Sequence, residues 1–381
     1  MNLDRYLARH GGSLRGLTRS IKDQLGDRTG TVCYLAGSLI EGIGNTRSDI
    51  DVYAIADGSP RHATFADVVI GDYKGVTLDI EFVASATIER LLDRLSQYPP
   101  DALRDHRVSA TAFSFGELKV LHNLAIGHPI LSESEFEELR QRCDEVALAR
   151  VNFDRHQAYL GVLQDDALGF LEQGQLDAAR CILRQMRSHL TGLLLAANGN
   201  TNPAEKWHFA ALKRLGKSKK ARILPHLATV DVIDELRALD KAIGSQDPFM
   251  TFRRINHLSL ALVPWGLRQF CDQAASASTS AACGRRPRAA GCKRSDGRKL
   301  PPLTLDAMAG YDDGGIWISK LAHPKRLYLN PLAHELLLSF DGQTCVDEAR
   351  KRLNQSQSDD ACELAQSVEA FERVLRQHEL I

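Results

Sequence analysis

Residues 34–55 read "YLAGSLIEGIGNTRSDIDVYAI". An apolar run ends in the small-residue turn Gly37-Ser38. A second apolar run then opens with the alternation Asp49, Ile50, Asp51, Val52. In a β-strand alternate side chains share a face, so Asp49 and Asp51 point one way while Ile50 and Val52 point into a core. Two anions about 4–6 Å apart near a protein surface repel by a few kcal/mol. A fold keeps such a pair when a cation sits between them, and Mg²⁺ favours a few carboxylates together with phosphate oxygens and water. Gly37 lets backbone approach a ligand closely, and the Ser38 hydroxyl with neighbouring N–H groups suits a phosphate. A third β-rich run, "VTLDIEFV" (76–83), again places acids, Asp79 and Glu81, on one face. Carboxylates from neighbouring strands opposite a phosphate-gripping turn describe a two-metal phosphoryl-transfer site. The competing reading is a solvated edge strand with its acids turned outward.

Outward from that stretch, the chain divides into blocks. Over 1–135, residues 2–25 read as one amphipathic helix, and "TVCYLAG", "DIDVYAIA" and "VTLDIEFV" read as strands. "SATIERLLDRLSQ" (85–97) reads as a helix opened by a Ser/Thr cap. The mixture predicts a small α/β or α+β sheet domain. Over 136–271 the strand signal disappears. Leu176, Ala179, Leu183, Met186, Leu190 and Leu193 mark a helix with a buried stripe, and Asn202-Pro203 opens another as cap and first-turn proline. Residues 272–300 have no apolar periodicity and carry seven basic side chains against two acidic ones. They read as a flexible, disordered tether rather than a nucleic-acid contact. Residues 301–381 combine two short β runs in "GGIWISKLAHPKRLYLN", joined by a Pro-containing turn, with three helices. The first of these helices enters through Pro331 and stops near Gly342, the second is capped by Thr344, and the third spans roughly 360–378. The predicted class is α+β with three folded parts: a sheet domain, an α-helical bundle and a small winged-helix-like domain.

The totals exclude other classes. The 381 residues are 25% charged and 44% hydrophobic with a formal net charge of zero, so no global field draws the chain to nucleic acid or membrane. No run of eighteen apolar residues occurs, and the start of the chain lacks an apolar signal core. Eight scattered cysteines include no Cys-x-x-Cys pair, so zinc is not expected and reduced thiols are. The expectation is a soluble cytoplasmic protein with no membrane partner.

Gly37, Ser38, Asp49 and Asp51, with "RSDIDV" around the acids, resemble the signature of the DNA polymerase β-like nucleotidyltransferases in their minimal and aminoglycoside-modifying forms. The resemblance implies that Asp49 and Asp51 hold Mg²⁺ ions and that Gly37 and Ser38 grip the triphosphate of ATP or another nucleoside triphosphate. It also implies a third acid: Asp79 as a metal ligand that orients or deprotonates the acceptor, with Glu81 as substitute or helper. In the same two-domain arrangement, Lys206 and Trp207 would meet the nucleotide, lysine at the triphosphate and tryptophan by stacking. Their alternative is a core tryptophan beside a snorkelling lysine. Asp165 and Asp166 are weighed as acceptor contacts against a solvated helix face, and His122 and His128 read as structural.

The last block resembles the PqqD-like peptide-recognition domains of ribosomally synthesised and modified peptide pathways. Leu329, Asn330, Ala333, Asp341, Gly342 and Thr344 stand in that family's places, with Asp347 where the family often has Glu. The resemblance implies capture of a precursor's leader as an added strand along Arg326, Leu327, Tyr328 and Leu329, beside the last helix. A dimerisation module built on the same leucines is the alternative. Together the two resemblances imply transfer of a nucleoside monophosphate, AMP from ATP, to a precursor peptide, with partner biosynthetic enzymes acting before or after. Two alternatives are weighed against this. One is transfer to a small molecule such as an aminoglycoside-type antibiotic, and the other is a non-catalytic nucleotide-sensing scaffold that presents a peptide.

Overall fold

In the computed structural model all residues are described except 26–31, 57–66, 99–111, 218–231, 277–296, 322–324 and 357–360. The chain folds as mixed α+β. One compact unit comprises Met1–Pro99, Thr111–Asn152 and Gly199–Arg214, and the second is built mainly from Phe153–Asn198 and Leu215–Ile381.

The first unit is built on a five-stranded sheet of order β3-β4-β2-β1-β5. Its strands are β1 (Val32–Ala36), β2 (Ile50–Ala56), β3 (Asp67–Tyr73), β4 (Val76–Ala84) and β5 (His128–Leu131). Strand β2 runs antiparallel to β1 and parallel to β4, and β3 and β4 form an antiparallel hairpin. The β-branched alternation of β2 and β4 buries residues on both faces, so helices are required above and below.

One face is covered by α1 (Leu3–Arg9) and α2 (Leu14–Leu25), where Leu3, Leu7, Leu17 and Ile21 meet Ile50, Val52, Leu78 and Ile80. The expected single opening helix is in fact these two. Gly11 at φ +64° breaks the pattern, in a left-handed conformation open to glycine. The other face is covered by α4 (Ser85–Ser96), α5 (Phe115–Ile126) and α6 (Glu133–Arg142), which enclose Tyr34, Tyr53, Ile55 and Val83. Helix α4 takes Ala84 at its N-cap with no side-chain bond, so the expected Ser/Thr cap is not used. The side-chain cap falls on α5 instead, where Ser114 and Glu117 form a reciprocal capping box. A short helix, α3 (Gly37–Glu41), joins β1 to the loop before β2, and α7 (Glu145–Glu172) contributes its first turns here.

The second unit holds the remainder of α7, α8 (Leu176–Ala197), α10 (Val232–Ser245) and α11 (Pro248–Ser276), with α9 (His208–Leu215) lying mostly in the first unit. The expected stripe is buried on α8 at Ala179, Leu183, Met186, Leu190 and Leu193. Helix α11 runs five residues into the segment read as a tether, and 277–296 of that segment lie outside the described residues. Residues 298–300 then pair with 344–346.

The C-terminal block follows in the same unit. It has a three-stranded sheet β6 (Ala307–Asp312), β7 (Gly315–Lys320), β8 (Leu327–Leu329), and helices α12 (Pro331–Leu337), α13 (Val346–Ser356) and α14 (Ala361–Gln377). Two strands were expected, and β6 is the addition. The expected Pro turn between β7 and β8, at 322–324, lies outside the described residues. Helix α12 ends at Leu337, five residues short of Gly342, and Thr344 bonds Asp341 rather than standing next to α13. Buried Gln164 and Asn256 donate to the carbonyls of Leu305 and Ala307, and Leu260 of α11 joins the core around Phe340, Val346 and Leu375. No helix among the described residues is long and apolar enough to cross a membrane.

Candidate metal centre

The parallel register of β2 and β4 aligns Asp51 with Asp79 and Tyr53 with Glu81. Neighbours in such a ladder share a face, so four polar side chains form two adjacent rows. Asp49, one residue before β2, joins the first row. One carboxylate oxygen each from Asp49, Asp51 and Asp79 lie within 4.8 Å of one another, with Asp49 exposed and the other two half-buried. These three residues could hold a metal ion.

Two features fit a cation there. Asp79 Oδ1 is buried and has no hydrogen-bond partner among the described residues; an orphaned carboxylate oxygen carries the full desolvation cost that a ligand would offset. Gly37, at φ +72°, sits directly against Asp51, and a Cβ built on it would run into the Asp51 carboxylate. Glycine is therefore required twice at this position, for its left-handed backbone and for the space.

The electrostatics are those of crowded anions. Burial, then Asp49, pushes the Asp51 carboxyl up to about 7; Glu81 and Asp79 add to the effect and Lys119 opposes it. Burial, then Glu81 and Asp49, raises Asp79 as well. The Tyr6 hydroxyl, donated to the Ser48 carbonyl at 2.6 Å, is raised by burial and then by Asp49.

Glu81 has a different neighbour. Lys119 of α5 reaches it at 2.5 Å and lies 6.0 Å above the Tyr53 ring. Burial works against the ammonium, but Glu81 first, then Asp51 and Asp79, hold Lys119 above the usual lysine range. Glu81 is thus engaged by a cation, and Asp79 is the third acid grouped with Asp49 and Asp51.

Ser38 is buried in α3. Its hydroxyl donates to Ser48 Oγ at 3.4 Å, and its carbonyl receives the N–H groups of Ile43 and Gly44. Lys206 and Trp207 lie in a 3₁₀ turn, Glu205–Trp207, with the ammonium 5.3 Å from the indole. Among the described residues neither forms a hydrogen bond or ion pair with the acidic cluster. Asn202 does not open an α-helix but closes a turn onto Ala204, and helix α9 begins at His208.

The turn before it is anchored to the end of α3. Asn202 donates to Glu41 at 2.6 Å, Arg214 donates to the Glu41 carbonyl, and Thr201 pairs with His122 Nδ1 at 2.8 Å. Burial raises Glu41, but His122, Asn202 and Arg214 outweigh it and hold the carboxyl below its usual range. Buried His122 is thus part of this anchor, whereas His128 is exposed at the start of β5. Asp165 and Asp166 are exposed on α7.

In the C-terminal block β8, among the described residues, is an edge strand, paired on one side with β7. Leu329 is buried in the core with Leu327 packed against it. Arg326 and Tyr328 both reach Asp312, at 2.5 and 3.2 Å, and Arg326 stacks on Trp317 at 4.4 Å. Tyr328 remains 49% exposed, which leaves its ring open to a ligand.

The sequence reading missed Lys119, Glu41 and Ser48. No local pattern ties Lys119 to Glu81, 38 residues away; the parallel register and the lie of α5 create that pair. No protein-family model and no curated protein matches the chain.

Proposed function

We propose that the chain is a Mg²⁺-dependent nucleotidyltransferase that transfers AMP from ATP to a precursor peptide held by its C-terminal block. The observation that carries the first half is the triad of Asp51 and Asp79 on two parallel strands and Asp49 just before the first, with Asp51 against the Cβ-free backbone of Gly37. In this reading the first unit is a polymerase β-like nucleotidyltransferase domain, the helices beyond it are a bundle domain, and 301–381 is a PqqD-like domain.

Asp49, Asp51 and Asp79 would hold magnesium, which supplies charge neutralisation for the triphosphate and for departing pyrophosphate. The residues of the chain do the rest. Gly37 and Ser38 bring backbone N–H groups and a hydroxyl up to the phosphates. The acceptor oxygen bonds to the α-phosphorus as the bond to the β-phosphate breaks. Asp79, whose carboxyl is raised above the ordinary range by burial and its acidic neighbours, is the group suited to take the acceptor proton, since raising a carboxylate makes it a stronger base. Lys119 holds Glu81 in place and keeps it from competing for the ions.

Support for the peptide half comes from β8, an edge with Tyr328 exposed and Leu327 and Leu329 anchored in the core. An extended leader added to that edge would gain backbone hydrogen bonds and side-chain register.

The test is mass spectrometry of synthetic precursor-type peptides incubated with the full chain, ATP and Mg²⁺, beside an Asp49→Asn/Asp51→Asn variant. The expected result is a peptide heavier by one AMP, absent with the variant. Labelling of small hydroxylated acceptors alone would overturn the peptide half, and no turnover of any nucleotide would overturn the whole reading.

A further inference from the structure

Strand β3 forms the outer edge of the five-stranded sheet beside β4, and no strand among the described residues pairs with its far side. Its antiparallel register places Ile70 opposite Asp79 and Val68 opposite Glu81. The parallel register of the next pair places Asp79 beside Asp51 and Glu81 beside Tyr53. One face of the sheet therefore carries two continuous rows, Asp51–Asp79–Ile70 and Tyr53–Glu81–Val68. The apolar end of each row is open: Ile70 is 77% exposed and Val68 52%. Val69, on the opposite face of the same strand, is 45% exposed.

An exposed edge with large apolar side chains on both faces is a liability that folds blunt with lysine, proline or a bulge. Between Val68 and Ile70 this strand has no such device. A flat partner lying on one face would cover Val68 and Ile70 but leave Val69 in water. An extended chain added to the edge covers all three, because its own side chains alternate between the faces. Continuity with the acidic row decides what that chain is, since whatever lies along β3 has its near face directed toward Asp79.

We propose that β3 is the acceptor-binding edge of the catalytic site: an extended peptide segment adds to it as a sixth strand, packs apolar side chains on Val68, Val69 and Ile70, and projects its reactive hydroxyl along the row toward Asp79. The proposal rests on the nucleotidyltransferase reading and adds to it the place and chemistry of the acceptor. Strands lie about 4.8 Å apart, so a residue opposite Ile70 stands about 10 Å from the Asp79 backbone. A tyrosine side chain spans most of that gap toward an ion on Asp79, whereas a serine side chain does not. The acceptor is therefore a tyrosyl hydroxyl flanked at alternate positions by β-branched or aromatic residues.

The test uses the full chain, Mg²⁺, α-labelled ATP and two sets of short synthetic peptides, Val/Ile-flanked with a single central Tyr or a single central Ser. Wild type is compared with Val68→Ser/Ile70→Ser, whose sites are exposed enough to leave the fold intact. The expected result is labelling of the Tyr set over the Ser set. In the double variant the peptide KM should rise about tenfold or more, with the ATP KM and Mg²⁺ dependence unchanged. In wild type, hydrogen exchange at 67–73 should slow when the Tyr peptide is added, a readout that does not depend on the variant folding.

Equal labelling of Ser and Tyr peptides, or an unchanged peptide KM in the variant, overturns the proposal and leaves the nucleotidyltransferase reading standing. A wild-type dimer that the two substitutions dissociate, with no change in peptide KM, shows the edge to be an interface between copies and also overturns it. No labelling of any peptide by wild type, with ATP turned over on small acceptors, removes the peptide half of the parent reading along with this one.

Discussion

Two carboxylate clusters of the first unit have opposite characters. Glu117, at the start of α5, is bound by Arg94 at 2.6 Å and Arg90 at 3.2 Å and receives the Ser114 N–H at 2.8 Å. Burial raises it, but Ser114, Arg94 and Arg90 outweigh that and hold its carboxyl below the usual range. Asp51 sits among Asp49, Asp79 and Glu81 with one lysine nearby, and its carboxyl is pushed up to about 7. The first cluster is complete within the protein. The second is short of positive charge, and an anion cluster left incomplete by its own fold could hold an external cation.

The sharpest way to break the contrast is to neutralise Asp51. On the nucleotidyltransferase reading proposed above, Asp51→Asn should lower AMP transfer by at least about 10²-fold, since in that reading it removes a metal ligand at the developing charge. The same change should raise metal-free stability at pH 8. A carboxyl whose folded pKa exceeds its unfolded value binds more protons when folded, so its ionisation costs stability as pH rises from about 4 through 7. Asparagine removes that cost, on the order of 2 kcal/mol after screening. Urea unfolding and a single-turnover assay read the two effects. Loss of stability together with loss of activity would make Asp51 a structural residue.

Glu117→Ala should do the reverse. It strands Arg94 and Arg90 and removes a reciprocal cap, so stability should fall by about 2–3 kcal/mol with the rate per folded molecule unchanged. Because Glu117 is depressed in the fold, wild-type stability from this cluster is present above the unfolded carboxylate pKa and fades as pH drops below it. In the variant that acid-limb slope should flatten.

Magnesium linkage gives a smaller and more specific number. With Asp51 titrating near 7, the ionised fraction falls about tenfold between pH 8 and pH 6. The apparent Mg²⁺ affinity, read from the rise in Tm with metal, should weaken by about that factor over the same interval. A pH-independent affinity would mean that the ion does not use Asp51.

How much of this was legible follows from the range of each interaction. The alternation in "DIDVYAIA" and "VTLDIEFV" declared both strands and the facing of their acids, because side-chain period is a local property. That Asp51 stands beside Asp79 depends on a parallel pairing across 28 residues, which no local pattern encodes. Strand β3 was missed because "VVIGDY" is short and carries a glycine, and β6 because "AMAGYD" has few β-branched residues. Both are held by pairing to a neighbour rather than by propensity. The break of the opening helix was written in Gly11-Gly12, where the apolar period continues across residues that cannot support it. Lys206 and Trp207 were placed at the nucleotide by resemblance alone; they lie in the turn Glu205–Trp207, just after Asn202, which bonds Glu41 at the end of α3.

The smallest expected effect tests the only cation paired with the second cluster among the described residues. Lys119→Met keeps the length of the side chain and its contact with Tyr53 but removes the charge that opposes Asp49, Asp79 and Glu81 at Asp51. Protonation of Asp51 then becomes easier, so the pH midpoint of Mg²⁺ binding should move upward by a few tenths of a unit. At pH 8, well above the midpoint, the transfer rate should fall by only about a tenth, and at pH 6.5 by about twofold, a loss recovered as pH rises. Lys119→Arg, which restores the charge, should restore the midpoint. A rate loss that no pH recovers would place the ammonium on the nucleotide itself, and the lysine would then belong to the binding machinery rather than to the balance of charge around Glu81.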